Sequence, residues 1–116
     1  MSKLSAWVVD LYEGELAGEW VKVQCWVDTD GRLRVTRTSR GELTAFCFGS
    51  GVHTIEAVVS PDGRRALERQ FGAEDRRQLL GAMRLIWVGE DCFTLICDYL
   101  DTIGIAYRLM EYDSAA

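Results

Sequence analysis

His53 is the only histidine in the chain, so any reaction needing an imidazole base must use it, with Cys47 or Ser50 as the nearby nucleophile. A position six residues from Cys47 in an extended run implies no contact between the two side chains. Acid–base work requires demonstrated geometry, so a structural or merely exposed histidine is the plainer expectation. Cys25, Cys47, Cys92 and Cys97 suit zinc by number but not by spacing. Structural zinc sites use close cysteine pairs, whereas Cys92 and Cys97 on a helix would diverge by about 140°. The cysteines therefore read as thiols, small and mostly buried. The stretch from Phe48 to Val52 carries Gly49 and Gly51 but lacks the following lysine and helix of a phosphate loop, and reads as a turn. Asp10, Glu13, Glu15 and Glu19 read as a solvated edge. The sequence thus assigns no catalytic residue, no metal and no cofactor.

Two other patterns point to recognition. The first depends on the alternation from Trp20 to Asp28, which turns Val21, Val23, Cys25 and Val27 to one side of a strand and Trp20, Lys22, Gln24 and Trp26 to the other. Thr29-Asp30-Gly31 then returns the chain through Arg32 to Thr38. A three-residue loop with Gly31 in the left-handed conformation sets Val27 against Leu33 and Cys25 against Val35. That register places Asp28 across from Arg32, Trp26 from Arg34, Gln24 from Thr36, Lys22 from Thr38 and Trp20 from Arg40. Tryptophan and arginine together are the mixture enriched in binding hot spots. The plainer alternative is that the arginines only shield the rings, or that a helix covers them. The second pattern is acidic: Asp91, Asp98 and Asp101 share one side of a helix, with Glu90 close by. Its plainer account is an ordinary solvated face.

The elements that must position these residues divide near Pro61, the single proline. Before it, Ala6–Tyr12 reads as a strand followed by a polar loop from Glu13 to Glu19. Leu43–Phe48 and Val52–Val59 read as two further strands joined by Gly49-Ser50-Gly51. After it, Ser60-Pro61-Asp62 opens a helix that Gly72 would end, although a hairpin at Pro61-Asp62-Gly63 is also compatible with the sequence. Ala73–Trp87 and Asp91–Ile103 carry helical spacing, with Leu79, Leu80, Met83, Ile86 and Trp87 on one side of the first and Phe93, Ile96, Cys97, Leu100 and Ile103 on one side of the second. Ile105–Tyr112 is a final strand, and residues 113–116 a frayed tail. The expected fold is α+β: an antiparallel sheet of about five or six strands, mostly from the N-terminal half, packed against two or three C-terminal helices, with a final strand, all in one domain over residues 1–116.

A chain of 116 residues that is 48% hydrophobic and 27% charged has the composition of a folded domain. No apolar run approaches the roughly 20 residues of a membrane span, and charge at Asp10 interrupts any signal-like core, so a cytoplasmic protein with no membrane partner is expected. A net charge of −5 disfavours nucleic acid and anionic lipid. Charge is also zoned: residues 31–43 hold four arginines and one acid, and residues 78–116 six acids and two arginines. Zoned charge suits oriented docking. The resulting expectation is a small acidic module that binds another protein bearing a basic patch, as an inhibitor or immunity-type neutraliser of a toxin or enzyme. Two alternatives stand beside it: a small-molecule binder or enzyme using a sheet-side pocket near His53, and a homo-oligomer subunit with Trp20 and Trp26 at a symmetric contact. Oligomeric state is not encoded legibly.

Overall fold

The computed structural model describes residues 7–113. Five strands form one antiparallel sheet in which sequence neighbours are also spatial neighbours: β1 (Val9–Leu16), β2 (Glu19–Val27), β3 (Leu33–Arg40), β4 (Val52–Val59) and β5 (Tyr107–Asp113). Four helices among the described residues accompany it, α1 (Glu42–Phe48) between β3 and β4, and α2 (Pro61–Phe71), α3 (Arg76–Ile86) and α4 (Cys92–Ile103) between β4 and β5. The α+β expectation holds. No helix among the described residues is long and apolar enough to cross a membrane.

The β2–β3 hairpin has the register deduced from its alternation, from Val27 opposite Leu33 to Trp20 opposite Arg40. Asp28 builds the turn. Its Oδ1 accepts the backbone N–H groups of Asp30 and Arg32, both at 2.9 Å, while its own N–H donates to the Arg32 carbonyl. Gly31 supplies the required positive φ of 85°.

Two expectations fail at either side of this hairpin. Glu13–Glu19 is not a loop: β1 continues to Leu16, and Ala17 and Gly18, at φ 54° and 82°, return the chain in a two-residue turn. Ala17 is the one described non-glycine residue with positive φ. Leu43–Phe48 is not a strand but lies in α1, whose cap comes from far along the chain. Gly41 at the N-cap has no capping side chain, and Glu19 of β2 substitutes. The Glu19 carboxylate accepts the N–H groups of Leu43 (2.8 Å) and Thr44 (3.2 Å) and the Thr44 hydroxyl (2.6 Å). A side chain at residue 41 would collide with that carboxylate and approach the Gly18 carbonyl to 2.6 Å, which is why glycine stands there. Gly49-Ser50-Gly51 consequently links a helix to β4 instead of closing a hairpin.

The later helices follow their local signals. Ser60 caps α2 by accepting the Gly63 N–H at 3.0 Å, Pro61 occupies its first turn and left-handed Gly72 ends it, which excludes the hairpin reading. Asp75 caps α3 through the Gln78 N–H, so this helix starts after Ala73, and left-handed Gly104 closes α4. Leu67, Leu79, Leu80, Met83, Ile96 and Leu100 pack onto Val23, Val35 and Val59 from the sheet. Ile86, expected on the buried side of α3, is about half exposed, and Trp87 turns inward instead. Trp87 meets Phe71 and Tyr99 with ring centroids 5.7 and 5.4 Å away, tying the C-terminal ends of α2 and α3 to the body of α4. Asp113, assigned to a frayed tail, pairs with His53 in β5; residues 114–116 of that tail and Ala6 of the first strand lie outside the described residues.

Candidate functional site

All four helices lie against one side of the sheet, the side that carries Val23, Cys25, Leu33, Val35 and Ala57. Among the described residues no helix lies over the opposite side. Strand alternation therefore sends Trp20, Trp26, Arg34 and Arg40 together onto the helix-free face. The Arg40 guanidinium lies 4.5 Å from the centre of the Trp20 ring, and the indole N–H of Trp20 donates to Glu13 Oε2 at 3.1 Å. Arg34 is opposite Trp26 in register, but its hydrogen bonds run elsewhere: Nε donates to Asp28 Oδ2 at 2.8 Å and Nη1 to Glu56 Oε1 at 3.0 Å. Tyr112 from β5 donates its hydroxyl to the same Glu56 oxygen at 3.0 Å.

This chain of contacts floors a concavity of about 630 Å³, with Trp26 and Tyr112 in its lining and Thr36, Thr38 and Thr54 between them. Glu56 is almost fully buried within it, so its charge is tolerated because Arg34 and Tyr112 satisfy it. Partial burial works against ionisation of Asp28, but hydrogen bonds from Arg34 and the amides of Arg32 and Asp30 outweigh it and hold the carboxyl below its ordinary value. Arg34 is correspondingly raised, first by its hydrogen bond to Asp28. The face is thus pre-arranged, with its donors and acceptors fixed by neighbours. Tyr112, Glu56 and the three threonines were not singled out from sequence. The signal lay in the alternate residues of β3 and β4, where Arg34, Thr36 and Thr38 and then Thr54 and Glu56 share one parity.

Asp91, Asp98 and Asp101 are exposed on the outer side of the helix layer. Asp91 precedes α4 without capping it, and Asp101 accepts the Tyr107 hydroxyl at 3.2 Å. The whole thickness of the molecule separates these acids from the Trp/Arg face, because α4 presses Cys92, Phe93, Ile96 and Leu100 onto the other side of the sheet. The two candidate surfaces cannot meet one flat partner surface at once.

His53 faces the helix side, stacked on Phe48 at 3.8 Å between ring centroids. Its Nδ1 lies 2.7 Å from Asp113 Oδ1 and its Nε2 3.1 Å from Glu111 Oε1. Both ring nitrogens thereby point at carboxylates on β5, an arrangement that ties the edge strand to its neighbour and leaves neither nitrogen aimed at Cys47. The two acids lie on opposite edges of the ring, so they do not converge, and among the described residues no group of three His, Cys, Asp or Glu side chains forms a metal cage. All four cysteines are free thiols, Cys47 exposed and Cys25 and Cys92 buried.

Comparison with family models, curated proteins and solved structures finds no match to this chain. The functional argument therefore rests on the surfaces themselves.

Proposed function

We propose that this protein is a binding module that docks on another protein through the helix-free face of its sheet, acting as an inhibitor or immunity-type neutraliser of a basic toxin or enzyme. One observation carries the reading: Trp20, Arg40, Trp26, Arg34 and Tyr112 share a face that no helix among the described residues covers, with Trp20 held by Arg40 and Arg34 joined to Tyr112 through Glu56 before any partner arrives. Aromatic and arginine side chains held rigidly lose little entropy on binding, and such residues dominate measured interface energies. Ordinary stability does not require tryptophans on the uncovered side of a sheet.

The net charge of −5 favours a basic partner, and the acids at Asp91, Asp98 and Asp101 contribute long-range attraction from the far side. The test compares wild type with a Trp20→Ala/Arg40→Glu variant and an Asp98→Lys/Asp101→Lys variant as baits in native lysate, followed by calorimetry and stopped-flow with the captured protein. The sheet-face variant should keep its circular dichroism and melting temperature yet lose at least ~30-fold in affinity. The helix variant should mainly slow association and flatten its salt dependence. Undiminished affinity in the sheet-face variant removes this docking surface.

A further inference from the structure

The helix side of the sheet is not covered uniformly. Along β3 the inward residues run Leu33, Val35, Arg37, Ser39, and along β4 they run Val59, Ala57, Ile55, His53. The first half of each series lies under α2, α3 and α4. At Arg37 the apolar core gives way to an open groove of about 840 Å³, walled by the β1–β2 hairpin on one side and by α1 on the other. Tyr12, Leu16, Val21, Leu43 and Phe48 give that groove an apolar lining. A smaller cavity of about 350 Å³, lined in part by His53 and Glu111, adjoins it at Arg37, Phe48 and Glu90.

Arg37 is the anomaly in this wall. It occupies the central strand, half-buried between Val23 of β2 and Ile55 of β4, and it makes no ion pair or side-chain hydrogen bond among the described residues. The other polar side chains drawn inward nearby have partners: Glu19 is spent on the amides and hydroxyl of α1, and His53 lies against Asp113 and Glu111. A guanidinium that lines an open groove beside apolar neighbours and has no anion inside the chain keeps its donors free for one from outside. Its planar fork matches a carboxylate in two parallel hydrogen bonds.

We infer that the groove between the β1–β2 hairpin and α1 binds a small apolar monocarboxylate, whose carboxylate pairs with Arg37 while its hydrocarbon part lies along Leu16, Val21, Leu43 and Phe48. The volume is that of a typical small-ligand cleft. Glu42 and Glu90, exposed where the groove opens, select the charge: they repel a dianion such as a phosphate monoester more strongly than a monocarboxylate. The site is on the opposite side of the sheet from the protein-docking face, so the two readings succeed or fail separately.

Octanoate, octanamide and octyl phosphate, titrated into the full-length protein and followed by ¹⁵N-resolved NMR, test the assignment. Octanoate should bind saturably and shift the Arg37 side-chain resonance together with the amides of Gly14, Val21, Ser39 and Leu43. Octanamide, equal in length but uncharged, should bind at least ~10-fold more weakly, the loss expected for a charge-assisted hydrogen-bond pair. Octyl phosphate should also bind more weakly than octanoate. Arg37→Gln should bring octanoate down to the affinity of octanamide. If that variant unfolds, the three-ligand comparison on wild type still decides. Equal binding of octanoate and octanamide, tighter binding of the phosphate, or shifts centred on exposed apolar residues outside the groove, such as Phe46 or Leu85, would each overturn the inference.

Discussion

Ala17 holds a left-handed conformation that costs an alanine about 1 kcal/mol and an asparagine or glycine much less. It occupies the first position of a two-residue turn in which both residues need positive φ, the setting in which Asn-Gly is preferred. Ala17→Asn should therefore raise stability by about 1 kcal/mol, read as an increase in urea midpoint at unchanged slope. An unchanged or lower midpoint would show that the turn is not of this type. The same residue hides the turn from the sequence. Ala-Gly is no hairpin signal, and the acids Glu13, Glu15 and Glu19 resemble a loop, yet Glu13 and Asp10 pair with Lys22 across the strand while Glu19 is turned to the other side as a helix cap.

At the scale of elements, legibility followed the distance over which each signal acts. The β2–β3 register was readable because Asp28, Gly31 and the alternating valines lie within a dozen residues of one another. Helix α2 was readable because Ser60 caps it from the adjacent position, and α3 because Leu79, Leu80 and Met83 recur at helical spacing, although its start at the Asp75 cap was not. Helix α1 was not, because its cap is Glu19, more than twenty residues upstream. Without that partner, Leu43-Thr44-Ala45-Phe46-Cys47-Phe48 has the β-branched and aromatic content of a strand. The two acids that fix these elements also make them pH-sensitive. Glu19 is lowered from its ordinary 4.5, chiefly by the Thr44 hydroxyl, and Asp28 from 3.8, where Arg34 and two amides overcome desolvation. Near these values the unfolded chain holds more protons than the folded one, so the stability these acids contribute is complete above pH of about 4.5 and drains away as pH falls below it. Urea midpoints measured from pH 7 to pH 3 should fall less steeply in a Glu19→Gln/Asp28→Asn variant than in wild type. Parallel curves would remove both acids from the account.

The whole molecule is a sheet with a dry side and a wet side, and its chemistry sorts accordingly. Burial pushes the Cys25 thiol up to about 12 and raises Cys92, while desolvation between α4 and β5 raises Cys97. Cys47, on the outside of α1, is exposed. Alkylation of the native protein at neutral pH should label Cys47 first, and Cys25 and Cys92 only at the rate of global unfolding. Rapid labelling of Cys25 would mean that β2 is not held between β1 and β3. The placement of the candidate residues was legible only in part at this scale. Alternation was enough to gather Trp20, Trp26, Arg34 and Arg40 on one face, but nothing local to Asp98 or Asp101 revealed that α4 would face the opposite way.

The long-range cap on α1 has a consequence for chronology. Seven residues are too few to nucleate a helix unaided, and the carboxylate that stabilises these seven becomes available only once β2 stands beside β3. A newly made chain must therefore complete its central strands before α1 can coil, and a mature chain that loosens should release α1 first. One side of the Arg37 groove is in this sense a late addition, able to open and reseal while the sheet behind it stays whole.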